Sequence, residues 1–235
     1  MILRCVDCPM HASSDWGILD AEGLKALDQA RNSKSYVAGE LIFMEGDQCD
    51  GLYCIEQGQV GVRKTDVDGN SVLLYISVGG ETMGYRAVIA EEPYMASGEA
   101  LKASRVCHIQ ASTMRDLLRR NPAFGYRYLQ RISNQLGAAE LRILQNIALS
   151  VRARFAHLLV VLMDRYQTYR DGDVLVMDLP ISRHDLASMI GTTPESMSRV
   201  IRKLEEDDVA LFKGRMVRIP DLKTLISEFE PHLII

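Results

Sequence analysis

The sequence predicts an α+β protein in which an antiparallel β-roll, a long helix and a winged helix-turn-helix follow one another along the chain. Three observations support this prediction. Apolar residues alternate with period two between residues 36 and 109, the period becomes helical from Thr113, and two short capped helices flank Gly191. The expected organisation is therefore a β domain joined by a helix to a small helical domain.

Composition and charge are those of an ordinary globular protein. The 235 residues are 47% hydrophobic and 25% charged, with a formal net charge of −4. No apolar run is long enough to span a bilayer and the N-terminus has no signal-peptide pattern, so we expect no membrane association and a cytoplasmic location. Five cysteines at scattered spacing also argue against a secreted fold built on disulfides.

An N-terminal extension occupies residues 1–20 and holds the pair Cys5 and Cys8. A short helix from about Asp20 to Gln29 follows, because its leucines recur at helical spacing. The extension is too short to fold alone.

The β-roll domain is assigned to residues 21–121. Its clearest signal is a hairpin, in which residues 60–63 and 72–76 flank the turn sequence 66–70. Short strands with evenly spaced turns predict a small antiparallel barrel or roll.

A long helix is predicted over residues 122–148, after a break at Pro122. Apolar side chains recur along it at alternating spacings of three and four, which is the a/d pattern of a coiled coil. These residues are Leu129, Ile132, Leu136, Ala139 and Ile143. The pattern is also compatible with a buried helix packing on its own domain, but the polar remaining faces favour a homodimer seam.

Residues 149–235 are assigned to a winged helix-turn-helix domain that opens with a helix over about residues 151–169. Within it, one short helix starts at the cap Ser182 and ends before Gly191. A second starts at the cap Thr193, with Pro194 in its first position. A small basic hairpin follows, which is the wing.

The exposed side chains of the second helix and the wing are suited to DNA. Arginine can bind guanine edges, glutamate can accept from cytosine, and serine can meet several bases, while wing cations suit phosphate. The predicted contacts are Glu195, Ser198, Arg199, Arg202, Lys213 and Arg215. A solvated face in an all-α domain is the alternative, but the joint pattern of caps, turn and wing favours double-stranded DNA as the partner.

The order of these parts resembles the CRP/FNR family of bacterial transcription regulators over essentially the whole chain. The resemblance is carried by Gly39-Glu40, Phe43, Gly46-Asp47, Leu52-Tyr53 and Gly58 in the roll, and by Glu195-Ser196-Met197-Ser198-Arg199. The last segment is similar to the FNR branch. The resemblance implies that the roll is a jelly roll like that of cyclic-nucleotide-binding domains. It also implies a homodimer that binds a palindrome of TTGAT-like half-sites, with RNA polymerase as a further partner if the protein activates transcription.

Three hypotheses about the sensed signal follow from the resemblance. Cyclic AMP is not expected, because relatives that bind it carry an arginine for the phosphate where this chain has residues 94–97, Tyr-Met-Ala-Ser. An iron–sulfur cluster is suggested by Cys5, Cys8 and Cys107, although Ser14 stands where a third N-terminal cysteine is expected.

The other interpretations remain open at this point. The three cysteines are equally compatible with a turn and a buried small side chain. Thiol redox sensing through the N-terminal pair, and haem binding through His11 or His108, are further hypotheses. Cys49 and Cys54 are interpreted as isolated. No enzyme site pattern is evident, so catalysis is not expected, and the alternative function is an effector-binding roll without sequence-specific DNA activity.

Overall fold

The computed structural model describes residues 4–166 and 168–230 of the chain. The chain divides into two compact units, Met1–Leu136 and Gly137–Ile235, which we name the N-terminal and C-terminal units. No helix among the described residues is both long and apolar enough to cross a membrane.

The N-terminal unit begins with two single-turn 3-10 helices, Cys5–Asp7 and Asp15–Ile18, followed by α1 (Ala21–Ala30). Asp20 caps α1, since its side chain accepts the N–H of Gly23, and Leu27 is fully buried as the sequence predicts. The strands are β1 (Arg31–Tyr36), β2 (Leu41–Phe43), β3 (Gly51–Gln57), β4 (Gln59–Thr65), β5 (Ser71–Val78), β6 (Thr82–Met83), β7 (Ser97–Ala100) and β8 (Ser104–Gln110). The helices after α1 are α2 (Tyr85–Ala90), α3 (Ala111–Arg120) and α4 (Pro122–Ala148).

The strands form two antiparallel sheets with orders β1-β8-β3-β6 and β2-β7-β4-β5. The predicted roll is therefore confirmed, as is the hairpin of β4 and β5. Gly69 lies in the left-handed region (φ 85°) at the tip of that hairpin, where glycine has no steric penalty.

The start of strand β1 and the helix α2 were not predicted. The strand β1 begins at Arg31 rather than near Tyr36, because its polar sequence has no alternation and its pairing comes from backbone bonds to β8. The short helix α2 follows Gly84, whose φ of 77° turns the chain after β6.

Two hydrophobic cores lie on opposite faces of the β1-β8-β3-β6 sheet. One contains side chains of both sheets, among them Phe43, Tyr53, Ile55 and Val60. The other packs that sheet against the N-terminal segment, α1, α3 and the start of α4, and its members include Trp16, Leu27, Leu52, Cys54, Cys107, Phe124 and Tyr128. Strand alternation explains the split, because successive residues of β3 and β8 enter different cores.

The C-terminal unit holds the end of α4, then α5 (Val151–Met163), β9 (Thr168–Asp171), β10 (Val174–Asp178), α6 (Arg183–Met189), α7 (Pro194–Glu206), β11 (Leu211–Lys213), β12 (Met216–Ile219) and α8 (Leu222–Ser227). Its sheet has the order β11-β12-β10-β9. The predicted extension of α5 to residue 169 is wrong. Gly172 (φ 63°) allows a tight turn, so the residues before it pair with β10 as strand β9.

Candidate functional site

The start of α7 is fixed by local bonds. Thr193 Oγ1 accepts the N–H of Ser196 at 3.2 Å, and Pro194 occupies the first turn. The preceding helix is capped in the same way, because Ser182 Oγ accepts the N–H of Asp185 at 3.0 Å. Gly191 between the helices has φ 63°, a conformation that glycine adopts without strain. Both predicted caps and the glycine turn are confirmed.

The faces of α7 divide as the sequence predicts. Met197, Ile201 and Leu204 are buried, so they anchor the helix in its own unit. The opposite side exposes Glu195, Arg199 and Arg202, with Ser198 half-buried. We name Glu195, Ser198 and Arg199 the recognition end.

Hydrogen bonds within one helical turn orient the recognition end. Arg199 Nη2 donates to Ser196 Oγ at 3.0 Å, and Ser198 Oγ donates to the carbonyl of Pro194 at 2.9 Å. The backbone N–H of Glu195 itself, then the Thr193 hydroxyl and Arg199, lower the pKa of the Glu195 carboxyl. The carboxylate is thus an acceptor at neutral pH, and the arginine is an exposed donor.

The wing contributes further cations at its tip. Lys213 and Arg215 are exposed on either side of Gly214, and Arg215 forms a 3.1 Å ion pair with Asp178. Both partners of that pair are more than half exposed, so the pair contributes little stability and can be exchanged for a phosphate contact.

Acidic residues at the C-terminal end of α7 bond to partners within the C-terminal unit. Glu205 Oε1 accepts the N–H of Phe212 at 3.1 Å, where the wing begins. Asp207 forms an ion pair with Arg152, whose pKa is raised first by its bond to Glu228 and then by Asp207. These partners account for acids at a helix C-terminus, where the helix dipole alone disfavours them.

Along α4, the predicted seam residues have unequal surroundings. Leu129, Leu136 and Ile143 are 59%, 60% and 62% exposed, and Ala139 is exposed as well. Ile132 is half-buried against the core that contains Trp16. Exposed leucine and isoleucine at coiled-coil spacing form an apolar strip that no element among the described residues covers, and their role in a dimer remains a prediction.

The buried side of α4 in the N-terminal unit carries a polar network that sequence reasoning missed. Arg131 forms an ion pair with Asp15, and it donates to Thr82 Oγ1 at 2.8 Å and to the Thr82 carbonyl at 3.1 Å. The side chains of Arg131 and Asp15 are only 21% and 12% exposed. Next to this network, Trp16 stacks on Phe124 with ring centroids 5.6 Å apart. The segment around Asp15 and Trp16 is therefore attached directly to α4.

The three cysteines predicted as ligands lie in the wall of one cavity of about 30 Å³, which has room for roughly one or two waters. Cys54 lines the same cavity, so four of the five cysteines meet there. We name this space, bounded by Cys5, Cys8, Cys54 and Cys107, the cysteine cavity. Its other lining residues are Met10, His11, Ser14, Trp16, Leu27, Arg31, Glu56 and Ile109.

The interpretation of Cys54 as isolated is wrong. Cys54 on β3 stands directly opposite Cys107 on β8, and both side chains belong to the same core. Period-two alternation predicts that Leu52 and Cys54 share a face of one strand. The sequence contains no signal for which strand lies beside β3, so the pairing with Cys107 is a property of the tertiary structure.

Burial dominates the chemistry of these thiols. It raises the pKa of Cys54 to about 12, and it also raises the pKa of Cys5 and Cys107. Arg31 opposes this effect, since its Nη1 lies 3.8 Å from Cys107 Sγ. Within the described ranges no three His, Cys, Asp or Glu side chains are close enough to hold a single metal ion. The donor set fits a four-iron cluster in kind, because such a cluster takes one thiolate on each iron and separates the thiolate sulfurs more widely.

The two histidines considered as haem ligands lie in different surroundings. His108 Nε2 is 3.2 Å from Asp50 Oδ1, and its ring packs on Tyr53 in the core between the sheets. His11 lines the cysteine cavity, and its buried Nδ1 has no hydrogen-bond partner among the residues the structure describes. The two side chains therefore do not share one site.

A second cavity, of about 40 Å³, lies in the roll and is lined largely by aromatic and small apolar side chains. Its one charged lining residue is Arg86, whose Nη2 is 3.7 Å from Met95 Sδ. No arginine stands at residues 94–97, so the expectation that cyclic AMP does not bind rests on the same segment as before.

Comparison with known families matches both units. Residues 33–121 match the model of the cyclic nucleotide-binding domain, and residues 153–228 match the model of the Crp-like helix-turn-helix domain.

Similar proteins extend over nearly the whole chain. The Transcriptional activator protein FnrL of Cereibacter sphaeroides is 26% identical over 231 residues, covering 96% of this chain and 91% of the relative. The Fumarate and nitrate reduction regulatory protein of Vibrio cholerae is 23% identical over 218 residues, with 92% and 86% coverage. Among solved structures, FixK2 from Bradyrhizobium japonicum has the same fold, with a TM-score of 0.73 at 21% identity, over 85% of this chain and 97% of that one.

Proposed function

Because the chain belongs to the CRP/FNR family of DNA-binding transcription regulators, we propose that it acts as a homodimer on a palindromic site and responds to a redox or oxygen signal. The observation that carries this proposal is the exposed recognition end of α7. Similar proteins are named as regulators, not enzymes, which agrees with the absence of a predicted catalytic pattern.

The base contacts follow from donor and acceptor chemistry. Arg199 binds a guanine edge, Glu195 accepts from cytosine and Ser198 adds a hydroxyl contact. The family resemblance implies that the half-site is TTGAT-like. Arg202, Lys213 and Arg215 contact phosphates and set the position of the protein on the duplex. RNA polymerase is the further partner where the protein activates transcription.

The dimer forms through α4, with Leu129, Ile132, Leu136, Ala139 and Ile143 at the seam. The exposed apolar strip along the helix supports this assignment, since a partner helix would remove it from water. No charged residue stands at these five positions, so the dimer does not depend on the effector, and regulation acts on the orientation of the DNA-binding units.

The signal is received at the cysteine cavity, where Cys5, Cys8 and Cys107 are the proposed ligands of an iron–sulfur cluster. Their common cavity supports this assignment. When bound, a cluster would supply sensitivity to oxygen and electron transfer. The chain itself supplies the thiols, the Arg31 charge beside them and the link from Trp16 to α4.

The function is tested with purified full-length protein on duplexes that carry two inverted TTGAT-like half-sites about 34 Å apart. Binding should be at least tenfold tighter than to a scrambled duplex. It should also fall when the spacing grows by about five base pairs, half a helical turn, because the second half-site then faces away from the dimer. Equal affinity for all three duplexes would support the alternative of an effector-binding roll without sequence-specific DNA activity.

The dimer is tested by sedimentation at low micromolar concentration. The effector-free protein should sediment as a dimer, and Ala139→Asp should shift it towards monomer because two like charges then face each other at the seam. Glu140→Asp, one position along the helix, is the control that leaves the net charge unchanged. A wild-type monomer that dimerises only with effector would contradict the proposal.

A further inference from the structure

Ser14 occupies the position where the related pattern has its third N-terminal cysteine, and the structure gives its hydroxyl another task. Ser14 Oγ donates to the carbonyl of His11 at 2.8 Å and accepts the N–H of Trp16 at 3.3 Å. It thereby caps the 3-10 helix Asp15–Ile18, and the residue is only 2% exposed. A hydroxyl held in two hydrogen bonds is a poor substitute for a thiolate ligand.

The fourth thiol comes from a different part of the chain. Strand β3 places Cys54 directly opposite Cys107, and residues directly opposite in an antiparallel pair lie about 4.5–5.5 Å apart at Cα. Cys54 and Cys107 are each 9% exposed, and both thiols are free. Cys5 and Cys8 line the same cavity from the N-terminal segment. Two rigid strand positions thus meet two thiols carried on a short turn.

The surroundings of Cys54 are those of a sulfur that accepts hydrogen bonds. The indole N–H of Trp16 donates to Cys54 Sγ at 3.2 Å, and the guanidinium of Arg31 lies against Cys107 on the same cavity wall. The Arg31 side chain is only 6% exposed, and it is paired with Asp28 at 3.0 Å. The Glu56 carboxylate opposes its effect, since Cys107 Sγ donates to Glu56 Oε2 at 3.7 Å. A donor and a buried cation stabilise sulfur atoms that carry negative charge, as metal-bound thiolates do.

We propose that Cys54 is the fourth thiolate ligand of the iron–sulfur site and replaces the N-terminal cysteine that this chain lacks. The proposal rests on the redox function proposed above. On binding, each of the four thiols loses its proton to solvent and bonds to one iron of a four-iron, four-sulfide cluster, which is assembled from sulfide with equal amounts of ferrous and ferric iron, so that no electron has to be supplied or removed. The cavity of about 30 Å³ is too small for a cluster, so the Cys5–Asp7 turn has to move outward on loading. This turn is joined to α1 by the bond from the Cys5 N–H to Asp28 Oδ1.

The side chain of Trp16 would connect a cluster bound at Cys54 to α4. Trp16 is bonded to Cys54 Sγ and stacked on Phe124 of α4. Trp16 is also the only tryptophan of the chain, so intrinsic tryptophan fluorescence reports on this position alone. Cluster binding should therefore quench and shift that emission.

The test is anaerobic reconstitution of the full-length chain with equal amounts of ferrous and ferric iron and with sulfide. Iron and sulfide per chain, visible absorption and Trp16 emission are measured for the wild type, Cys54→Ala, Cys49→Ala and Ser14→Ala. Cys49 is the matched control, because it is half-buried and its thiol contacts the Gly51 carbonyl outside the cysteine cavity. We expect Cys54→Ala to lose most of the iron and the quenching, whereas Cys49→Ala and Ser14→Ala keep both.

The inference is overturned if wild type binds no iron, if Cys54→Ala keeps wild-type iron and absorption, or if Ser14→Ala loses as much as Cys54→Ala. Circular dichroism of the metal-free variants, together with the isosteric Cys54→Ser, checks that any loss of iron is not a loss of fold.

DNA binding is measured separately on the same samples. A chain that loads iron through Cys54 but does not distinguish the palindrome from a scrambled duplex would overturn the proposed function and leave this inference standing.

Discussion

The recognition end of α7 and the cysteine cavity differ in where their functional side chains originate. Glu195, Ser198 and Arg199 come from five consecutive positions of one helix, are wholly or partly exposed, and are held by bonds within a single turn. The four thiols of the cavity come from the N-terminal turn, β3 and β8, and burial keeps three of them protonated.

This difference has a consequence for regulation. We expect the recognition end to meet a duplex with little backbone rearrangement, because Glu195 and Arg199 are exposed and the bonds of Ser198 and Arg199 within the helix can be exchanged for contacts to bases. The proposed ligands in the cysteine cavity would have to release protons, and the cavity would have to open, before they held a cluster. The structural change on sensing is therefore expected in the N-terminal unit, at the segment that joins the cavity to α4.

The largest predicted effect concerns the ion pair between Asp15 and Arg131, which holds the N-terminal segment against α4. Asp15→Asn should lower the free energy of unfolding by about 3 kcal/mol, because the buried Arg131 loses its counter-charge. Urea denaturation of the metal-free protein measures the change. The control is Asp7→Asn, which breaks the exposed Arg4–Asp7 pair, 70% and 47% exposed, and should cost less than about 1 kcal/mol. If both variants lost the same free energy of unfolding, the Asp15–Arg131 pair would contribute no more stability than an exposed surface pair.

The next effect concerns the recognition end. Arg199→Ala should weaken binding to the cognate duplex by roughly 1–3 kcal/mol and relax preference at one base pair, since a bidentate guanine contact is lost. Lys213→Ala in the wing should instead weaken all duplexes alike and reduce the salt dependence by about one counterion. Titrations on cognate and scrambled duplexes at several salt concentrations separate the two. If Arg199→Ala weakens both duplexes equally, the residue positions the protein but does not read sequence.

A smaller effect is expected from the cap that sets the start of α7. Thr193→Ala removes the acceptor for the Ser196 N–H and should lower the free energy of unfolding by about 1 kcal/mol. Thr193→Ser keeps an acceptor oxygen and should restore most of this loss. Thermal unfolding of the wild type and the two variants measures these changes in stability. If Thr193→Ala is as stable as the wild type, the start of α7 is held by tertiary packing and not by its cap.

The smallest effect concerns a buried titratable group in the C-terminal unit. Burial lowers the pKa of His157, whose ring meets Phe229 edge-on at 5.1 Å. The unfolded chain therefore binds more protons than the folded chain as pH falls below about 6.5, and the stability contribution present above that pH is progressively lost. His157→Gln should make the unfolding free energy less dependent on pH between about 7 and 5. An unchanged slope in chemical denaturation would assign the acid sensitivity to other groups.

The sequence by itself determined the parts whose causes lie within a few residues. The caps Ser182 and Thr193, the glycine turn between them and the exposed face of α7 were all predictable, because each depends on neighbours at most four positions away. The same holds for the β4–β5 hairpin, whose turn and alternation adjoin in the chain. Strand β1 was not predictable, since its polar residues pair only because β8, far along the chain, offers them a backbone edge.

Only the tertiary structure decided which cysteines meet. Alternation along β3 and β8 assigned each thiol a face, but the pairing of Cys54 with Cys107 depends on strand order and register. The link from Asp15 to Arg131 joins residues more than a hundred positions apart. Both depend on long-range packing that a one-dimensional pattern does not encode, because periodicity specifies the orientation of a side chain within its element and not the identity of its neighbour.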